Sequence, residues 1–132
     1  IQHAGQYIQE RNNNILIGHR GFRDGYQQYN TTDRVIGNTG GFMLTSREVF
    51  NKFMLNEHYI ECLEDLEYNI TLIINGYTNL YMGSVSAFHY ESITRGKSKE
   101  ANRRFSIDYK NTFLPFISNH ISNSILKEFI YK

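Results

Sequence analysis

CLEDLEYNITLIINGY, residues 62–77, is apolar through its second half yet opens on Glu64, Asp65 and Glu67, with Glu61 just before. Leu63, Leu66, Ile70, Ile73 and Ile74 recur at helical spacing, so the stretch is expected to form an amphipathic helix. Asn75-Gly76 should end it in a left-handed C-terminal cap. The carboxylates admit two explanations. Near a helix N-terminus each gains ~0.3–1 kcal/mol from the macrodipole, which requires no function. Against that, Glu61 and Asp65 would share a helix face and repel. A carboxylate fixed at a helix start can also project into a cleft and accept a proton. The residues alone leave both explanations open.

Working outward, Ser46 should cap a helix over SREVFNKFML, with Glu48 in its first turn and Val49, Phe50, Phe53 and Met54 on one side. GGFMLTS, 40–46, reads as a brief apolar strand ahead of it. IQHAGQYI suggests a strand or hairpin arm. Residues 12–41 hold NNN and six of the ten glycines, and within them GHRGFRDGYQQYN, 18–30, is expected to be a long irregular loop. TNLYMGSVSAFHY, 78–90, is apolar or small on both faces and reads as an interior strand. Two helices should finish the chain, about 99–112 and 115–131, with Pro115 as a first helical residue. The expected class is therefore α/β, a short mixed sheet with helices in one domain over 1–132.

A chain of 132 residues, 40% hydrophobic and 20% charged, suits one modest core. The lone Cys62 can form no internal disulfide, and no Cys/His spacing suggests zinc. No run of roughly 18 apolar residues is present, and no secretory leader is seen, so a cytoplasmic location is expected. The opening IQHAG lacks a Met and reads like the middle of a longer polypeptide. Residues 1–94 carry six Lys/Arg against ten Asp/Glu, whereas 95–132 carry eight against three. The basic run from RGKSKEANRR is either a solvated helix start or a patch for an anionic group. With a net charge of only +1, no nucleic-acid partner is expected.

Three further constellations carry chemistry. In AFHYESITRG, 87–96, His89 ends a strand and Glu91 and Arg95 follow, where open α/β sheets bind ligands. Imidazole could ligate a divalent ion, and an arginine fork could clamp a diphosphate. Otherwise His89 is a satisfied structural histidine. NTGG, 38–41, is either a turn needing glycine or a backbone that lets a ring approach. His19 within GHRG is a loop histidine of either kind. No phosphate-binding GxxxxGK[ST], HExxH or Ser/His/Asp order occurs.

IQHAG, GHRGF, NTGGFMLTSREVF, LEDLEYNITLIINGY and FHYESITRG stand in the order found in family 2 glycosyltransferases of the GT-A fold. The chain resembles the C-terminal, acceptor-side half of bacterial members that build surface polysaccharides, with 1–96 as the motif-bearing core and 97–132 as C-terminal helices. The resemblance implies hexosyl transfer from a nucleotide-sugar donor to a saccharide or lipid-linked acceptor. Glu64-Asp65 matches the family's acidic pair, with Asp65 the implied general base. His89 matches the metal ligand, implying Mn or Mg in the full-length enzyme. Thr39, Gly40 and Gly41 match the turn lining the sugar site, and Arg95 an arginine over the donor. Glu91 matches the acidic position of the family's H-x-E-S strand end and His19 its loop histidine, both taken as donor- or acceptor-binding without a specific role.

The family's Rossmann-like nucleotide half, ending in D-x-D, has no counterpart here, since aspartates stand only at 24, 33, 65 and 108. The chain alone is therefore expected to bind nucleotide-sugars poorly and to transfer no sugar. A missing half would leave apolar surface compatible with a homodimer, and lipid-linked acceptors would place the protein at the inner membrane face. The alternative is a non-catalytic carbohydrate-binding or protein-interaction module derived from the same fold.

Overall fold

The computed structural model describes residues 5–12, 14–19, 32–84 and 99–131. Within them the chain is mixed α/β. Strands β1 (Gly5–Arg11) and β2 (Asn14–His19) form an antiparallel hairpin, with Gln6 opposite His19 and Arg11 opposite Asn14. Asn12 begins the connection with φ +50°, the left-handed value that tight hairpins require and asparagine tolerates. The long irregular loop expected over 18–30 lies mostly outside the described residues; its first two residues, Gly18 and His19, end β2, and β3 (Thr32–Arg34) and β4 (Gly37–Asn38) come after it.

On the other side of β1, β4 pairs antiparallel near Gly5 and Gln6, and the last strand β6 (Ile130–Tyr131) pairs parallel beside Ile8 and Gln9. The sheet is thus short and mixed. β3 and β5 (Leu80–Met82) make a separate antiparallel pair. Leu80 and Met82 are 51% and 57% exposed, so the described part of the expected interior strand is covered on one face only. The rest of that expected strand, 85–90, lies outside the described residues. The strand expected over 40–46 is also absent, and Thr39–Phe42 forms a turn in its place, closed by the Phe42 N–H on the Thr39 carbonyl at 3.3 Å.

Helix α1 (Arg47–Phe53) starts as its sequence requires, with Ser46 Oγ accepting the Val49 N–H at 3.2 Å. Its apolar side is only half-buried. Phe50 meets the Tyr68 ring and Phe53 meets Tyr77, whereas Met54 is exposed. Helix α2 (Glu64–Ile74) buries Leu66, Ile70 and Ile73 completely or nearly so. These side chains pack with Ile36, Cys62, Phe113, Ile117 and Leu126 in one core, each such burial contributing about 1.5–3 kcal/mol.

The end of α2 is a Schellman motif. Tyr77 N–H bonds the Leu72 carbonyl and Gly76 N–H the Ile73 carbonyl, both at 3.0 Å, with Gly76 at φ +88°. Nothing lies within 4 Å of a Cβ built on Gly76. Gly76→Ala should therefore cost about 1–2 kcal/mol through backbone conformation alone, read as a lower urea midpoint.

The C-terminal helices differ from expectation in one informative way. α3 (Lys99–Asp108) runs without a break through a π-helical turn (Tyr109–Phe113) into α4 (Leu114–His120), so Pro115 lies inside a continuous helical run. Proline lacks the N–H that an α-helix needs and crowds the preceding turn, and a wider i→i+5 turn is one way to accommodate it. The same turn also serves the core. At about 100° per residue an α-helix would set Asp108 and Phe113 roughly 140° apart, yet both are fully buried. The expected helix over 115–131 is further divided into α4, a short α5 (Ser124–Lys127) capped by Asn123, and β6. Among the described residues no helix is long and apolar enough to cross a membrane.

Candidate functional site

The acidic start of α2 separates into three unlike environments. Glu61 precedes the helix and is ion-paired to Arg104, Oε2 to Nε at 2.6 Å. It therefore does not share a helix face with Asp65, whereas i,i+4 spacing on one helix implies that it would. Glu67 accepts hydrogen bonds from Asn56 Nδ2 at 3.0 Å and from the Tyr59 hydroxyl. Burial, followed by that bond to Glu67, pushes the Tyr59 phenol well above its ordinary range, so it remains a proton donor throughout physiological pH. Glu61 and Glu67 are structural.

Asp65 faces elsewhere. Its Oδ2 accepts the Gly40 N–H at 2.7 Å and its Oδ1 accepts the Leu66 N–H at 2.7 Å. The carboxylate is half-buried and oriented by two backbone amides, one from its own helix and one from the NTGG turn 25 residues away. Glu64, beside it in the first turn, is half-buried. Leu63 precedes them at φ +77° with no side-chain cap, a conformation costing roughly 1–2 kcal/mol for a non-glycine residue.

The turn is held as firmly as the helix. Asn69, one turn along α2 and 2% exposed, donates from Nδ2 to the Asn38 carbonyl at 3.1 Å and to the Asp65 carbonyl at 2.7 Å. Asn79 Nδ2 bonds the Ile36 and Asn69 carbonyls at 3.1 and 2.9 Å, and Asn38 Nδ2 bonds the Leu80 carbonyl at 2.9 Å. Three asparagine amides thus stitch β4, α2 and β5 together where no strand ladder reaches. Of the three, only Asn38 lay in a stretch singled out from the sequence, and its side chain was given no role. The available signal was Asn69 within the buried stripe of α2, where an unpartnered amide would be costly.

Gly40 does not use a positive φ. A Cβ there would lie 3.6 Å from Asp65 Cβ and Oδ2, an ordinary contact. Gly40→Ala is therefore expected to leave stability within about 0.5 kcal/mol of the parent, in contrast to Gly76→Ala. The glycine keeps the backbone beside Asp65 bare, and Phe42, closing the same turn, is 72% exposed.

The structure brings together Asp65, Glu64, Thr39, Gly40 and Gly41. His19 ends β2 opposite Gln6, whose other neighbour is Gly37 of β4. The His19 backbone therefore lies about 10 Å, two strand spacings, from Gly37, two residues before the turn. His89, Glu91 and Arg95 lie outside the described residues. Among the described residues no group of three His, Cys, Asp or Glu side chains is placed to hold a metal ion.

No protein-family model, curated protein or solved structure matches the chain. The Asp65–Gly40 contact joins two of the stretches singled out in the sequence, the acidic helix start and the NTGG turn.

Proposed function

We propose that this chain is the acceptor-side part of an inverting, metal-dependent family 2 glycosyltransferase of GT-A type, with Asp65 as general base. One observation carries the reading. The acidic pair and the NTGG turn, matched to the family separately in sequence, meet through the 2.7 Å bond from Gly40 N–H to Asp65 Oδ2.

Chemically, a sugar hydroxyl is a poor nucleophile, and a fixed carboxylate makes it a better one. As the acceptor oxygen bonds the anomeric carbon, its proton passes to Asp65. The bond from that carbon to the diphosphate oxygen breaks on the opposite face, and its electron pair leaves with the nucleoside diphosphate. The configuration inverts. A divalent ion, where bound, neutralises charge on the leaving diphosphate; its ligation by His89 and the clamping role of Arg95 rest on the motif resemblance alone. Gly40 and Gly41 leave room for a pyranose ring, and Phe42 offers an aromatic face to its C–H edges.

The exposure of Phe42 equally favours the second reading, a carbohydrate-binding module without catalysis. The complete gene product separates the two. Incubated with Mn²⁺, UDP-, GDP- or dTDP-hexoses and a panel of saccharide acceptors, it should release nucleoside diphosphate only when an acceptor is present, giving a product of inverted anomeric configuration by NMR. Saccharide binding with no release from any donor would establish the module and overturn the enzyme.

A further inference from the structure

We propose that Asn69 is a positioning residue that sets the Asp65 carboxylate against the Thr39–Gly41 turn. The functional weight of this inference rests on the reading of Asp65 as the base, but its geometry does not. The two N–H bonds of the Asn69 side-chain amide go to two different walls of the site, the Asp65 carbonyl on α2 at 2.7 Å and the Asn38 carbonyl at the root of the turn at 3.1 Å. The Met43 sulfur, on the far side of the turn, lies 3.4 Å from the same nitrogen. One buried amide thus touches the turn before and after Gly40, as well as the residue whose carboxylate Gly40 meets. Asn79 closes the arrangement from behind, through the backbone carbonyl of Asn69 itself. An amide has two donors, and both are engaged in holding helix and turn at one separation.

Asn69→Ser divides these roles. A helical serine can still bond the carbonyl four residues back but is too short to reach Asn38. In the 132-residue chain labelled with ¹⁵N and ¹³C, the parent should show a scalar coupling across the hydrogen bond from Gly40 N to Asp65 Cγ. Asn69→Ser should lose that coupling, and its Gly40 amide should exchange as an open loop does, while the amides of Ile70 and Ile73 stay protected. Persistence of the coupling in folded Asn69→Ser would overturn the proposal, as would its absence in the parent.

If the variant does not fold, native-state exchange in the parent decides. The Asn69 side-chain amide and the Gly40 backbone amide should open in one step, and exchange of Gly40 while Asn69 remains protected would overturn the proposal. None of these readouts involves sugar transfer, so failure here and failure of the glycosyltransferase reading are separate results.

Discussion

Asp65→Asn should lower sugar transfer by the complete gene product by roughly 10²–10⁴-fold, the usual contribution of a positioned base. It should also leave the fold nearly intact. Asparagine keeps one side-chain oxygen in place, so one of the two amide contacts, to Leu66 or to Gly40, survives. The lost items are a charge at a helix start and one hydrogen bond, and the new NH₂ group turns toward the exposed Gly40 amide, which water can reach, so the cost is about 1–2 kcal/mol. Activity and stability therefore part company, and that separation distinguishes a base from a carboxylate present only for the helix dipole. A dipole residue would give the reverse, a lowered urea midpoint with transfer retained. Asp65→Glu sharpens the comparison, because it keeps the charge but moves the oxygens about one bond further out. Transfer should fall by more than tenfold in that variant too, since a small misplacement of a reacting group is costly.

Where chemistry is local, this chain is legible from its residues. The Ser46 cap, the apolar stripe of α2 and the Asn75-Gly76 stop all appear where their side chains require them, because each depends on neighbours within four or five positions. The contact between Asp65 and the NTGG turn appears only in the fold. Nothing in the spacing of residues 38–41 and 64–65 states that they touch.

What escaped the sequence reading is non-local. NILIGH was hidden in a glycine-rich stretch, and it becomes β2 because β1 lies across the hairpin to pair with it. GGFMLTS has strand-like composition, but its backbone turns at Thr39–Phe42 and the following residues find no strand partner. The π-helical turn at Tyr109–Phe113 follows from a tertiary demand, that Asp108 and Phe113 both face inward, and from a proline two residues beyond. The asparagine stitch was missed for a similar reason. Asn38, Asn69 and Asn79 are individually ordinary, and only the fold makes them one network.

The largest stability effect is expected at Asp108, whose burial is equally invisible in RRFSIDYK. Its carboxylate is 1% exposed and receives three consecutive backbone amides. Oδ1 takes the Ile60 N–H at 2.8 Å, and Oδ2 takes those of Glu61 at 2.7 Å and Cys62 at 3.0 Å. Together with the Arg104–Glu61 ion pair one turn earlier on α3, it clamps the segment leading into α2. That clamp stands where α2 has no side-chain cap of its own and Leu63 is in the left-handed region.

Asp108→Ala leaves three amides without their acceptor. Each buried amide so stranded costs about 1–3 kcal/mol, but Ile60 is well exposed and water can reach its N–H. The expected loss is therefore about 3–5 kcal/mol, a large share of the ~5–15 kcal/mol by which a domain is stable. Asp108→Asn should fare little better, because its NH₂ group must point at donors on one side or the other. If urea denaturation instead shows either variant within about 1 kcal/mol of the parent, the three-amide clamp is not what fixes the start of α2. The direction of Asp65 would then have to be set by Asn69 within α2 and by Gly40 of the turn.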